Sequence, residues 1–514
     1  MSTNDPSTAA GALNAMRRSR EINAAIGETH DVVVIGGGIT GAGIALDAVT
    51  RGLSVALVER HDLASGTSRW SSKLVHGGLR YLASGAVGIA MESANERRIL
   101  IERTAPHLVH PLAFVIPLTP GLGTSAARQA AIGGKLGDAL RVAARTRRST
   151  LPSSGRLDAP QTLRLLPGVL SDGLRGGLLT WDGQLEDDAR LVIGIARTAA
   201  AYGAKILTRL EASDVTAHSV TCTDGLTGQT LTLRARHVIN ATGVWASAVD
   251  PSVKLRPSKG VHVVLPAAVL GLPSAALVVP VPGERARYVL ALPQPDATVL
   301  VGLTDDPLVG PIPDEPPVDA HEVDFLLDIL NGVLASRVGP DDVIGRFAGL
   351  RPLLDTSDGA TADISRKHAV IDGPEGVLTI VGGKLTTYRR MAQDTLDALA
   401  ARGLAMGPCR TKHLGILGAG PVSPSLRAQH PRLVRRYGSE AAVLAELIAA
   451  RPELNDPVAE GVPSLKAEFA FGVSHEGALL AEDLVARRTR LDFVDAWLEA
   501  AMPAAAQALA LERA

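Results

Sequence analysis

Between Ser71 and Leu82 the chain reads SSKLVHGGLRYL: two serines, a lysine, a histidine, an arginine and a tyrosine around a pair of glycines. The stretch matches neither the 3.6-residue period of an amphipathic helix nor the alternation of a strand. Its chemistry is that of a segment facing a ligand. Ser71, Ser72 and Lys73 offer donors to phosphate or ring oxygens. Gly77 and Gly78 let backbone approach a flat ring with no Cβ in the way. His76, Arg80 and Tyr81 are then left to face whatever lies beyond the ring, although a lone histidine such as His76 also suits a purely structural place.

The elements that must position these groups begin just upstream. Val32 to Ile35 form a short β-branched run, as expected of a buried parallel strand. Gly36, Gly38 and Gly41 follow as G-x-G-x-x-G, then a helical pattern ending at Gly52, then the apolar strand LSVALVE closed by Glu59, 23 positions after Gly36. This is a complete β-α-β unit. The glycines allow a tight turn and close approach of a pyrophosphate, with Ile39 and Thr40 opening a helix whose free N–H groups favour anions. Glu59 stands where it can accept hydrogen bonds from a ribose.

Two further segments point to the same ligand. ARHVINATGVWA is a strand ending in a turn at Ala241, Thr242 and Gly243. GVLTIVGGKLTTYRRMAQDTLDAL is a strand, a glycine pair including Gly383, then a helix opened by Leu385 and Thr386. Three separated segments converging on one dinucleotide favour FAD over NAD. LGILGAGPVSP has its glycines at the wrong spacing and ahead of prolines, and is expected to be a loop.

At this point the chain resembles a family. DVVVIGGGITGAGIALDAVTRGLSVALVE, SSKLVHGGLRYL, LEDDARLV, NATGVWA, SKGVHVVLP, VGLTDD, GLRPLL, DISRKHAV and GGKLTTYRRMA occur in the order and rough spacing of the flavin-dependent glycerol-3-phosphate dehydrogenases. RRYGSEAAVL and HEGALLAEDLVARRTRL are similar to that family's helical cap. The resemblance spans about residues 30 to 492, with segment 120–180 following the pattern only loosely. It implies FAD, expected to be noncovalent, sn-glycerol 3-phosphate as reductant and a membrane quinone as oxidant. Close relatives pass electrons to oxygen.

That chemistry sets further requirements. A phosphate dianion needs fixed cations, and arginine binds two phosphate oxygens at once. Arg80, Arg351 (in AGLRPLL), Arg366 (in ISRKHAV) and Lys384 (in GGKLTTY) are the candidates, with Tyr81 beside them. Lys367 and His368 read as bystanders. The alcohol proton needs a base, for which His76, His262 and Lys259 are candidates, the histidines favoured and not separated. Thr304 and Asp305 are expected to shape the pocket, and Asp187 and Asp188 to cap a helix. Gly36, Gly38, Ile39, Thr40, Gly41, Glu59, Ser71, Ser72, Lys73, Gly77, Ala241, Thr242, Gly243, Gly383, Leu385 and Thr386 make the expected cofactor site.

The expected fold is α/β: a Rossmann-like FAD-binding domain of glutathione-reductase/amino-acid-oxidase type, an α+β substrate domain and a C-terminal helical cap. The FAD domain is expected at 30–105, 185–255 and 365–403, the substrate domain at 106–184 and 256–364, and the cap at 404–514. The first 30 residues read as a mobile or loosely docked arm, and the alanine-rich tail after Met502 as a frayed helix.

Composition narrows the function classes. Lys plus Arg number 52 and Asp plus Glu 53 among 514 residues, which speaks against wholesale nucleic-acid binding. Cys222 and Cys409 fit neither a disulfide framework nor a metal site, and suit a reducing cytoplasm. No apolar run reaches the ~18 residues of a membrane-spanning helix. QAAIGGKLGDALRVAARTRRST sets Ile132, Leu136, Leu140 and Ala143 on one stripe, with Lys135, Arg141, Arg145 and Arg148 flanking or opposing it. This suits either peripheral contact with an anionic membrane at the inner face of the cell membrane or an ordinary packed helix. Gly133, Gly134 and Gly137 weaken it. A homodimer is carried as an expectation with the oligomeric state open. Two other readings compete: an amine or amino-acid oxidase on the same scaffold, which would need fewer cations, and a flavin-bound regulatory protein without turnover.

Overall fold

The computed structural model describes residues 7–78, 86–284, 287–355 and 367–513. Arg80, Tyr81 and Arg366 lie outside them. Two sheets organise the chain. The first runs in the order Ala369–Asp372, Leu378–Val381, Thr230–Asn240, Thr29–Ile35, Val55–Glu59, Lys205–Thr208. Its centre is parallel: Val33 stands opposite Ala56 on one side and Val238 on the other. Val32, Val33 and Val34 have no exposed surface, which explains the unbroken β-branched run. Helices Ile39–Thr50, Asp188–Ala201 and Tyr388–Ala401 cover one face through Ile44, Leu191, Ile195, Leu396 and Leu399. Each such fully buried side chain contributes about 1.5–3 kcal/mol. The other face is closed by the hairpin Leu210–Asp224 with strand Thr230–Asn240 and by Ile22 and Ala25 of helix Ala15–Gly27.

That helix corrects the expectation of a loose N-terminal arm. Asn14 caps it, Arg18 bonds the Thr208 carbonyl and Asp224, and Leu13 pairs with the backbone around Glu476. Its partners are remote in sequence, so composition alone could not reveal them.

The second sheet is mixed, mostly antiparallel, and ordered Asp306–Pro307, Ser258–Pro266, Thr298–Gly302, Tyr288–Pro293, Ala276–Pro280, Val109–Pro117, Gly177–Leu185, Leu74–Val75, with Gly345–Arg351 also on Ser258–Pro266. Helix Ala320–Asn331 packs on one face through Val323, Leu326 and Leu330. The opposite face carries Trp70, Phe347 and Phe493 in mutual stacking contact. Within SSKLVHGG, Leu74 and Val75 form the edge strand of this sheet, Leu74 opposite Gln184 and Val75 opposite Gly183.

Beyond Ala401 the chain is helical. Its final helix, Asp495–Arg513, is packed rather than frayed: Ala501, Ala505 and Leu509 are buried at helical spacing against Phe469 and Leu484. LGILGAGPVSP is a loop. Helix Thr124–Ala143 splits the expected stripe: Leu140 is buried, whereas Ile132 and Leu136 are exposed.

Candidate active site

A cavity of about 480 Å³ lies between the two sheets. One end is built by the first β-α-β unit. Gly36 turns the chain at a φ of +110°, and its Cα direction faces the Ala241 carbonyl so closely that a Cβ would come within 2.6 Å of it. A Cβ at Gly41 would come within 1.9 Å of the Gly36 carbonyl, so Gly41 serves helix–strand packing rather than the cavity wall. Gly38 opens onto the cavity itself: a Cβ there would meet only Ser68 Oγ, at 3.0 Å, and would occupy the cradle. The Ile39 amide, at the positive end of its helix, donates to Ser68 Oγ at 2.9 Å. Glu59 accepts from the Gly37 amide at 2.7 Å and the His61 amide at 2.8 Å, which fixes its carboxylate in the wall. Thr40, Ala241, Thr242 and Gly243 complete this end. An open glycine cradle, a helix start and an oriented carboxylate fit the pyrophosphate and ribose of a dinucleotide.

The other end is polar and cationic. Ser71, Ser72, His76, His262, Arg351, Gly383, Lys384, Leu385 and Thr386 line it. Ser72 Oγ lies 2.9 Å from His262 Nε2. The His262 ring is 1% exposed and stacks on Phe347 at 4.8 Å. Burial, reinforced by the charges of Lys73 and Arg351, pushes its pKa down to about 3. His76 is 48% exposed, with Nδ1 3.5 Å from Asp182. Burial alone would raise the Asp182 carboxyl, but Arg97 at 2.7 Å and then His76 outweigh it and hold it well below the carboxylate range.

Arg351 is fixed before any ligand arrives. Its Nη1 donates to Ser258 Oγ at 2.9 Å and Asp305 at 3.0 Å, and its Nη2 to the Thr304 carbonyl at 3.1 Å. Thr304 and Asp305 therefore shape the pocket by holding the arginine. Lys384 Nζ donates to Ser93 Oγ at 3.4 Å.

Besides Gly41, three more of the expected residues are not brought to the cavity wall. Lys73 adopts a φ of +56° and buries its ammonium completely, donating to Asp188 at 2.8 Å and to the carbonyls of Arg69 and Ser71. Burial lowers its pKa against the pull of Asp188. Asp188 also accepts from the amide and hydroxyl of Ser71, so the pair positions the wall without touching a ligand. Lys259 turns away to Glu322 at 2.9 Å and Asp319 at 3.2 Å; burial opposes its charge, and the two carboxylates outweigh that and raise its pKa. This removes Lys259 from the candidate bases. Gly77 lies against Arg97, whose guanidinium a Cβ would strike at 2.1 Å.

The sequence reading missed Ser68, Trp245, Arg60 and Asp314 in the wall, and Gly260, where a Cβ would meet Arg351 at 2.2 Å. Only Gly260 carried a signal: a glycine inside a strand marks the close approach of another group. Asp187 caps its helix through the Arg190 amide, as expected.

Comparison with known proteins gives a consistent result. Residues 31–389 match the FAD dependent oxidoreductase family, and residues 379–513 the C-terminal domain of alpha-glycerophosphate oxidase. Glycerol-3-phosphate dehydrogenase 1 of Mycobacterium tuberculosis is 54% identical over 94% of this chain and 95% of that protein. A glycerol-3-phosphate dehydrogenase of Mycobacterium leprae is 37% identical over 90% of this chain and 81% of its own length. Among solved structures, the glycerol-3-phosphate dehydrogenase of Bacillus halodurans complexed with FAD superposes with a TM-score of 0.75 at 28% identity, covering 97% of this chain and 94% of that one. The fold is the FAD-binding α/β arrangement with an α+β second unit and a C-terminal helical domain.

Proposed function

The chain belongs to the FAD-dependent glycerol-3-phosphate dehydrogenases, and from that premise we propose that it oxidises sn-glycerol 3-phosphate to dihydroxyacetone phosphate and passes the electrons to a membrane quinone. The observation that carries the reading is the prefixed Arg351 guanidinium in the wall that also contains Gly38 and His76.

FAD, bound noncovalently, supplies the acceptor for the hydride leaving the secondary alcohol. The chain's residues bind, orient and deprotonate. Arg351 and Lys384, with Arg80 and Arg366, take the phosphate; holding it positions the reacting C–H bond, so remote binding energy serves the chemical step. His76 takes the hydroxyl proton. Its Nδ1 faces Asp182, which leaves Nε2 for the substrate. His262 is a poor acceptor because its pKa lies near 3, and it instead orients Ser72. The cofactor wall comprises Gly36, Gly38, Ile39, Thr40, Glu59, Ser71, Ser72, Ala241 to Gly243, Gly383, Leu385 and Thr386, supported by Gly41, Lys73 and Gly77. The FAD unit takes 30–105, 185–255 and 365–403, the substrate unit 106–184 and 256–364, and the cap 404–514.

No described helix is long and apolar enough to cross a bilayer. Exposed Ile132 and Leu136, near Lys135 and Arg128 on a surface helix, support peripheral contact with an anionic membrane from the cytoplasm. A homodimer is retained within the proposal.

The test is anaerobic titration of the purified flavoprotein. Glycerol 3-phosphate should bleach the flavin, while glycine and sarcosine should not. Charge-assisted contacts to phosphate are each worth about 1.5–3 kcal/mol, so Arg351→Ala should lower the efficiency of flavin reduction about ten- to a hundredfold. Arg351→Lys keeps the charge but loses the fork and should remain impaired. His76→Ala should bind substrate yet reduce slowly. Wild-type efficiency in Arg351→Ala would reopen the substrate class.

A further inference from the structure

The proline-rich segment between Asp306 and Ala320 plays no part in the chemistry above, yet it does not lie along its own sheet. It leaves the second sheet at Asp306–Pro307 and returns to it at helix Ala320–Asn331. Between those points it reaches across to the first sheet. Asp314 Oδ1 pairs with Arg60, and Oδ2 stands 3.5 Å from His61 Nε2. Glu315 pairs with Arg69 at 2.9 Å. Lys259 then ties down the far end through the Pro317 carbonyl at 3.2 Å and Asp319 at 3.2 Å. The diverted Lys259 thus has a reason for its direction.

Where the segment crosses decides what it does. Arg60 directly follows Glu59, and its guanidinium lies 4.9 Å over the Trp245 ring. Arg60, His61, Trp245 and Asp314 all line the cavity at its Glu59 end. We propose that residues 311–319 form a strap over the adenosine half of the FAD site, hinged at Gly310 and latched by Arg60–Asp314 and Arg69–Glu315, and that it governs how fast the dinucleotide leaves. Pro311, Pro313, Pro316 and Pro317 make the strap stiff, since each fixes its own φ and restricts the residue before it. Gly310, at a φ of +101°, and the 91% exposed Val309 form the flexible end. Asp314 is 58% exposed and Glu315 72%, so the latch stands in solvent and salt screens it. Retention of FAD should therefore depend on ionic strength, although the pyrophosphate contacts lie inside.

The inference rests on the proposed direction of the dinucleotide, adenosine toward Glu59, and the experiment separates the two. The FAD-loaded protein is diluted, and FAD release is followed by the rise of flavin fluorescence at low and at high salt. Asp314→Asn should release FAD about two- to fivefold faster than wild type at low salt, the effect of losing one exposed ion pair. High salt should speed the wild type until the difference closes. The charge-swapped pair Arg60→Glu with Asp314→Lys should return toward wild-type release, which a general loosening of the loop would not produce. Equal release from Asp314→Asn and wild type at low salt overturns the strap. Glu59→Ala serves as the orientation control and should weaken equilibrium FAD binding; unchanged binding would mean that the adenosine lies elsewhere, and the strap fails with it.

Discussion

The helical cap and the strap both meet the nucleotide sheet through arginine–carboxylate pairs, and solvent separates them. In the cap, Arg488 and Asp62 are fully buried and joined at 2.7 and 3.0 Å. Arg190 meets Glu476 at 2.9 Å, Arg197 meets Glu440 at 2.8 Å, and Arg436 meets Asp187 at 3.1 Å, all with little exposure. In the strap the acids stand in water. One chemistry thus gives two behaviours: a buried pair cannot open without stranding a charge in low dielectric, whereas an exposed pair opens at little cost. The buried set also reaches the site. Asp187 is held by the cap's Arg436, and its neighbour Asp188 holds Lys73 and Ser71, so the cap fixes the cavity wall at Ser71.

The largest effect should come from breaking the buried set. Asp62→Ala strands Arg488, with Arg487 losing one of its two acids, and should cost about 3–5 kcal/mol in denaturant unfolding. A cost under ~1 kcal/mol would mean that water reaches the pair, and the contrast with the strap would fall.

Acid should act through the buried histidine of the site before it reaches the Asp62 pair. Folded His262 stays neutral to about pH 3, whereas its ordinary pKa is 6.5. Between those values the unfolded chain binds more protons, so stability falls as pH drops below 6.5. Asp62 behaves oppositely: burial would raise its carboxyl, but Arg488 and Arg487 hold it at about 2 against an ordinary 3.8, so its contribution is complete above 3.8 and is lost as pH falls through 2. Between pH 6 and 4, His262 should therefore remove about 1 kcal/mol per pH unit. His262→Asn should flatten that slope in unfolding curves, and an unchanged slope would place it on other groups.

The smallest effect sharpens the comparison from the other side. Glu315→Gln, in the strap, should change unfolding free energy by ~0.5 kcal/mol or less, measured beside Asp62→Ala in the same denaturant series. A loss approaching that of Asp62→Ala would make the strap part of the rigid frame.

What the sequence disclosed follows the range of the interactions. The β-branched strand, the glycine spacing and Glu59 are local signals, and the structure assembles them as a β-α-β unit. Asp188 lies 115 positions from Lys73, and Asp319 lies 60 from Lys259. Each lysine looks ligand-facing until those acids are in place. Helix Ala15–Gly27 was unreadable for the same reason, its anchor Thr208 being 190 positions from Arg18. The last helix is a different failure: Ala501, Ala505 and Leu509 hold helical spacing, but alanine is too weakly apolar for the period to stand out.

The arrangement of the cap sets an order of events during synthesis. Asp62 and Asp187 emerge from the ribosome far ahead of the arginines at 436, 487 and 488 that neutralise them. Translation at about 5–20 residues per second leaves these carboxylates waiting many seconds. Until then they favour hydration over burial, so the nucleotide sheet cannot close its face on them. The segment around Ser71 is therefore written among the first hundred residues but becomes a finished wall only after residue 436 has been made.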